Sequence, residues 1–253
     1  MPARPAKKAP SRTGTAAPAH FSPAALDFLR KLKRNNRREW FEARRSTYED
    51  ELKQPMLTLI EQITRGMEDY APDHLRPPQK IMLRIYRDTR FSADKTPYKA
   101  HVSAWWTRNG LAKTSGAGYY LHLSATELVL AAGVYMPPKE QTLAIRRYLL
   151  THYSEFQRLL EDRKLRAKVR LHDAMPLTRP PKGFAADHPA IEWIKWRQWG
   201  VIVNLPAEEA LEPALPALVG RYFRLTHPLV DFLNQPLVPL AQPRRKPLFA
   251  LSR

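Results

Sequence analysis

The sequence predicts an α+β fold: a mainly antiparallel β-sheet of four or five strands, packed with N-terminal, middle and C-terminal helices. Three observations lead to it. Side chains alternate with period two over 81–86, 101–106 and 119–125, and a further apolar run covers 127–135, so the middle of the chain is strand-rich. The links between these runs are tight or carry turn signals, N-G at 109–110 and G-A-G at 116–118, which favours an antiparallel meander. Segments with helical periodicity flank them on both sides.

A first helix is expected over 21–36. Ser22 is a good N-cap, Pro23 suits the first helical position, and Leu26, Leu29 and Leu32 share one face. Lys31, Lys33 and Arg34 complement the negative end of the helix dipole, and Asn35-Asn36 makes a stop because asparagine tolerates left-handed backbone. A second helix starts at Arg37, places Phe41, Tyr48 and Leu52 on one side, and is broken or kinked at Pro55. Leu59, Ile60, Ile63 and Met67 mark a third. The proline-rich 71–79 is a connector.

Strands follow at 80–87 and 100–108, then at 119–125 and 127–135. Three of them carry a polar or mixed face: Arg84 and Tyr86, His101 and Ser103, His122 and Ser124. If the faces coincide and helices roof them, they line a cleft; otherwise they form the wet side of the sheet. Over 137–162 a long helix carries Ile145, Leu149, Tyr153, Phe156 and Leu160 in one stripe. Segment 165–173 reads as a short helix passing into a short strand. At 187–199 a helix capped by Asp187 or His188 is expected to bury Trp193, Trp196 and Trp199. A strand at 200–205 and two or three helices over 206–236 complete the body, with Pro213 and Pro216 interrupting the first and Thr226 capping the last.

These elements predict one domain over 21–236, between a disordered basic tail at 1–20 and a C-terminal tail at 237–253. The formal charge is +18; eight cations lie in the two tails, and removing them leaves +10 on the body. A basic body attracts polyanions. With no cysteine in the chain, disulfides, thiolate metal sites and a cysteine nucleophile are excluded. No apolar run approaches the roughly 20 residues of a membrane helix, and 1–20 lacks the apolar core of a signal peptide. The expected location is cytoplasmic, with no membrane partner.

The chemistry concentrates in the loop 87–99. Arg87, Arg90, Lys95 and Lys99 stand there against Asp88 and Asp94, with Phe91, Pro97 and Tyr98 among them. In one reading the carboxylates pair with the cations to hold the loop in shape. In the other, surplus guanidinium groups face an anion, which their planar donor fork suits.

R-D-x-R-F-S-x-D-K-x-P-Y-K at 87–99 resembles the signature of domain-of-unknown-function family 2461. Three further stretches are similar to it: N-N-x-R-x-W-F at 35–41, G-V-Y-M-P-P at 133–138, and P-K-G-F-x-x-D-H-P at 181–189. The resemblance spans 21–236 and implies no activity, cofactor or catalytic residue.

The sequence contains no Walker loop, dinucleotide-binding glycine motif, H-E-x-x-H or G-x-S-x-G. The spacing of Asp88, Asp94, His101, His122, Asp187 and His188 matches no metal motif, so neither metal nor cofactor is expected. The leading expectation is a binding module for a phosphate-bearing ligand or nucleic acid. Arg84, Arg87, Asp88, Arg90, Asp94, Lys95, Tyr98 and Lys99 would form the site, joined by Lys182 near a helix N-terminus. The alternative is an enzyme on a phosphorylated or carboxylated small molecule, with His101, His122 or His188 as the acid or base and the arginines as a clamp.

Overall fold

The structure, a computed structural model, describes residues 19–90, 92–111 and 115–240. Most of both predicted tails therefore lies outside the described residues. Of their inner ends, Ala19 is buried and donates its N–H to Gln62, and Leu237 is buried in a 3-10 turn over Gln235–Leu240.

Helix α1 (Pro23–Arg34) begins as its sequence dictates: the Ser22 hydroxyl accepts the Ala25 N–H at 3.3 Å, and Leu26, Leu29 and Leu32 are buried. The expected second helix is divided. Helices α2 (Arg38–Glu42) and α3 (Arg45–Tyr48) meet at Arg44, whose backbone is not helical, and a π-helical turn (Glu49–Lys53) leads into α4 (Gln54–Arg65). Pro55 follows the π-helical turn directly, so the helical path adapts around the proline and is not ended by it.

The sheet is α+β in class as predicted, but has six strands rather than four or five, all antiparallel. Helix α5 (Pro78–Ile81) precedes β1 (Met82–Leu83); then come β2 (His101–Thr107), β3 (Gly118–Ser124) and β4 (Glu127–Val134). Helices α6 (Lys139–Glu161) and α7 (Arg163–Arg166) lead to the sixth strand, β5 (Arg170–Leu171). Helix α8 (Ile191–Ile194), β6 (Trp199–Pro206) and α9 (Leu215–Asn234) follow. The strand order is β1-β2-β3-β4-β6-β5.

Three expectations are corrected. The strand expected over 80–87 is only two residues long, because Pro78 starts a helical turn that takes Lys80 and Ile81. The tryptophan helix is a single turn: Trp193 and Trp196 pack at 4.5 Å, but Trp199 opens β6, where pairing with β4 claims its backbone. Helix α9 is one element, with Pro216 in its first turn and Pro228 inside it. Thr226 caps nothing; its hydroxyl donates to the Tyr222 and Phe223 carbonyls.

Residues on β3 alternate strictly. Tyr119, Leu121 and Leu123 are fully buried, whereas Tyr120, His122 and Ser124 are half-exposed. Val102, Ala104 and Trp106 of β2 and Leu128, Leu130 and Ala132 of β4 share the buried face through the register Ala104↔Leu121↔Leu130. Helices α1, α4 and α9 cover this face, and the Trp106 indole donates to Thr64 at 2.8 Å. On the opposite face, none of the described residues that line its cavity belongs to a helix.

Candidate functional site

That second face is concave and encloses a cavity of about 520 Å³. One wall is an aromatic ladder on β2 and β3. Trp105 lies opposite Tyr120 with ring centres 5.6 Å apart, Tyr120 meets His122 edge-on at 5.6 Å, and His122 stacks on His101 at 4.7 Å. The floor is Val129, Ala131 and Gly133 of β4 with Gly200 and Ile202 of β6. Tyr135, Met136 and His172 close the far wall, Tyr135 edge-on to His172 at 6.0 Å.

Glycines make the floor. Gly118, Gly133 and Gly200 are in register across β3, β4 and β6. Gly133 has φ +134, and a Cβ there would lie 2.2 Å from the Trp199 carbonyl oxygen and 2.5 Å from the Gly200 Cα. No side chain fits this contact, so β4 and β6 approach closely beneath the cavity. Just beyond, Met136 adopts φ +45, which turns the chain out along the cleft's edge.

The polar groups of the cleft are linked. Ser103 hydrogen-bonds the Tyr120 hydroxyl, which lies 3.2 Å from His122 Nδ1; His122 Nε2 faces Glu127 Oε1 at 3.7 Å. With an ionised carboxylate beside Nε2, the ring proton belongs there, so Nδ1 accepts from Tyr120. Burial raises the Tyr120 hydroxyl to about 12. Burial also lowers His122, which Glu127 opposes. His101 falls from 6.5 to about 4, first through burial, then through His122, Lys99 and Arg87, so it is neutral at pH 7. The Trp105 indole N–H is buried with no partner among the described residues.

The charged loop sits beside this cleft and is largely closed on itself. Arg87 pairs with Asp94 at 2.5 Å and also reaches Thr96; Arg90 grips Asp88 through two nitrogens at 3.0 and 2.7 Å. Asp88 and Asp94 each accept a backbone N–H two residues on, from Arg90 and Thr96, so both form Asx-turns. Lys95 donates to the Thr89 carbonyl and Lys99 to the Arg84 carbonyl. Tyr98 is 1 % exposed, which removes its ring from any ligand's reach. It stacks on Phe41 at 4.1 Å, and Asn36 holds both its N–H and its carbonyl, at 3.0 and 2.8 Å. The stretches 35–41 and 87–99 are thus clamped together.

Arg84 and Lys99 do meet at a surface. They line a second depression of about 780 Å³ with Arg45, Lys53 and Tyr86, and Leu83 lies on the rim of both depressions. Arg84 and Tyr86 do not extend the His101–His122 face, because β1 ends at Leu83. Tyr86 makes one bridge to Tyr98, and its hydroxyl accepts from Arg45. Lys182 is exposed in the loop before α8, with no hydrogen bond or ion pair to the charged loop among the described residues. His188 Nδ1 accepts the Ala190 N–H at 3.0 Å, an intrachain role that leaves it outside the cleft. Among the described residues no three His, Asp or Glu side chains converge to hold a metal ion.

The cleft joins two of the three polar strand faces, those of β2 and β3, which the sequence left either to line a cleft or to form the wet side of the sheet. Ser103, Trp105 and Tyr120 were visible as members of those faces but not as a site. His172 was missed altogether; Tyr135 and Met136 fall in the G-V-Y-M-P-P stretch but were not read as site residues, and methionine gives no local signal of the positive-φ turn at Met136.

Two outcomes follow. Asp88→Ala should leave the melting temperature within error of wild type, because the Arg90–Asp88 pair is exposed and screened; a collapsed melt would show that the loop holds the fold. Acid should act through histidines. His101 and the buried His74, lowered by burial to about 3, bind protons less readily folded than unfolded. Unfolding therefore takes up protons below pH 6.5, and stability falls as pH drops from 6.5 towards 4. Urea midpoints across that window should decline, and less steeply in His101→Gln; an unchanged slope would count against a neutral, buried His101.

Among the described residues no helix is long and apolar enough to cross a membrane. No curated protein matches the chain. The model of the conserved hypothetical protein family DUF2461 matches residues 24–232, which takes in both clamped stretches, the cleft and the loop before α8. The chain belongs to this family.

Proposed function

We propose that the protein binds an anionic small molecule in the concave face of its sheet. The body of the ligand lies over the His101–His122–Tyr120–Trp105 ladder, and its anionic end crosses the Leu83 rim towards Arg84 and Lys99. The observation that carries this reading is the position of Leu83, which lines both the cleft that holds the His101 ring and the depression that holds Arg84 and Lys99. An apolar, aromatic-walled cavity with a few convergent polar groups is the usual form of a small-molecule site. A cavity of about 520 Å³ suits a compact ligand better than a polymer. The loop cations Arg87 and Arg90, engaged by carboxylates, are less suited to be the main anion contacts than the edge cations.

The test is a thermal melt with a panel of nucleotides and sugar phosphates, run on wild type, Ala131→Phe and Arg84→Gln. Ala131 is half-exposed on the floor, so phenylalanine fills the cleft without entering the core. A ligand at 100 times its Kd stabilises by about 2.7 kcal/mol, a readily measured shift. The shift should vanish in Ala131→Phe and weaken in Arg84→Gln. A shift that survives in Ala131→Phe, or a panel without a binder, overturns the reading.

A second reading rests on the Ser103–Tyr120–His122–Glu127 chain, in which His122 Nδ1, with Glu127 behind the ring, would draw a proton from the ligand through the Tyr120 hydroxyl. On it the bound ligand is also transformed. NMR of a ligand found by the panel would then show conversion with wild type and none with His122→Gln; a ligand that stays intact with wild type leaves binding alone.

A further inference from the structure

We propose that the groove between α7 and α9 binds the phosphodiester backbone of single-stranded nucleic acid. Helix α9 covers the buried face of the sheet, so this groove lies on the opposite side of the molecule from the histidine cleft. Its volume is about 590 Å³, and Arg163, Lys164, Lys168 and Arg221 line it, over a floor that includes Leu218 and Tyr222. No carboxylate lines it.

The contrast with the loop 87–99 locates the available positive charge. Each loop cation has a carboxylate or a carbonyl as partner, as described above. Among the described residues, none of the four groove cations forms an ion pair or a side-chain hydrogen bond, and all four are exposed. Such a concentration of like charge, held by two packed helices, is relieved by an anion that repeats along a line. A phosphodiester chain is that anion.

Shape selects a single strand. The groove continues along α9 into a second depression of about 430 Å³, with Lys164 and Leu225 lining both. Arg158 adds positive charge there, while Arg224 is engaged by Asp69; Glu155 and Asp162 oppose it, and Asp162 is already engaged as the N-cap of α7. From Leu218 to Leu229 the path follows α9 for about 16 Å at roughly 1.5 Å per residue. A single backbone can lie along this path with its bases free to turn towards the floor, which the paired bases of a duplex cannot do. The half-exposed Tyr222 ring on the floor offers a face for a base, as in other sequence-tolerant single-strand sites.

The experiment uses the full chain and a fluorescein-labelled 20-nucleotide oligo-dT, with anisotropy titrations between 50 and 200 mM salt. Three proteins are compared: wild type, Lys164→Gln/Arg221→Gln, and Lys33→Gln/Arg34→Gln. Both variants lose two exposed cations that have no carboxylate partner among the described residues, so they differ in where the charge is removed. With four phosphates engaged, the slope of log affinity against log salt is about −3 for wild type. The groove variant should lose at least about tenfold in affinity at 50 mM salt, with a slope shallower by about 1.4. The control variant should bind within about twofold of wild type. Equal losses in both variants would mean that net charge alone drives binding, and would overturn the proposal. So would the absence of binding at 50 mM salt, tighter binding of a duplex of the same length, or binding confined to phosphatidylserine vesicles. Unchanged melts of both variants exclude misfolding as the cause of a loss.

Discussion

Asn234→Ala should destabilise the protein by about 2–4 kcal/mol, a large part of the roughly 5–15 kcal/mol that a domain holds in total. Asn234 is fully buried at the C-terminal end of α9. Its Oδ1 accepts the Ala117 N–H at 3.0 Å, and its Nδ2 donates to the Ala117 carbonyl at 3.1 Å. One amide thereby satisfies both backbone groups of the residue that precedes β3. Alanine leaves the buried Ala117 N–H unpaired, at about 1–3 kcal/mol, and takes from the carbonyl its shorter bond, worth about 1 kcal/mol, so that only His74 Nε2 at 3.4 Å faces it. Gln141 cannot take over, because its Oε1 already accepts the Gly116 N–H and its Nε2 donates to Ser115. Asn234→Asp should be at least as harmful, since a carboxylate has no proton for the Ala117 carbonyl. Urea titration should show a lower midpoint with an unchanged slope; a loss below about 1 kcal/mol would mean that water or a backbone shift replaces the amide.

Gly133→Ala is the other large effect, about 2–6 kcal/mol. Two costs combine: about 1–3 kcal/mol for a non-glycine residue at φ +134, and about 1–3 kcal/mol for the overpacked contact. The atoms in the way are the Trp199 carbonyl and the Gly200 Cα, which are backbone and cannot rotate aside. Gly183→Ala is the matched comparison. It too has positive φ, +88, but an added Cβ there meets nothing within 4 Å. The difference between the two denaturation midpoints isolates the close approach of β4 and β6. Equal losses would mean that backbone strain alone matters at Gly133. Because Gly133 lies on the floor of the cleft, its alanine variant should also lose any ligand that Ala131→Phe excludes.

Much of the fold was legible because local chemistry sufficed. Ser22 and Pro23 mark the start of α1, and the alternation from Tyr119 to Ser124 marks β3 and its two faces. It failed where a partner decided. Trp199 reads as the third tryptophan of a helical stripe, yet its backbone pairs with Val134 and it becomes a strand residue. Lys80 and Ile81 read as strand, yet the turn begun at Pro78 takes them. The run from Arg37 reads as one helix, because nothing in its periodicity reveals the non-helical backbone at Arg44.

By itself the sequence determined the α+β class, the antiparallel meander, the membership of His101, Ser103 and Trp105 in one strand face and of Tyr120 and His122 in another, and the crowding of charge in 87–99. Alternation and turn chemistry are properties of neighbours in the chain, so they are readable there. Only the tertiary structure decided that the two faces join, with Ser103 opposite His122, and that helices cover the other side of the sheet. Only it decided that Arg87 and Arg90 are engaged by Asp94 and Asp88, while Arg163, Lys164, Lys168 and Arg221 have no such partners among the described residues. A cleft and an available charge depend on what residues distant in the chain bring to the same place, and sequence spacing does not carry that information.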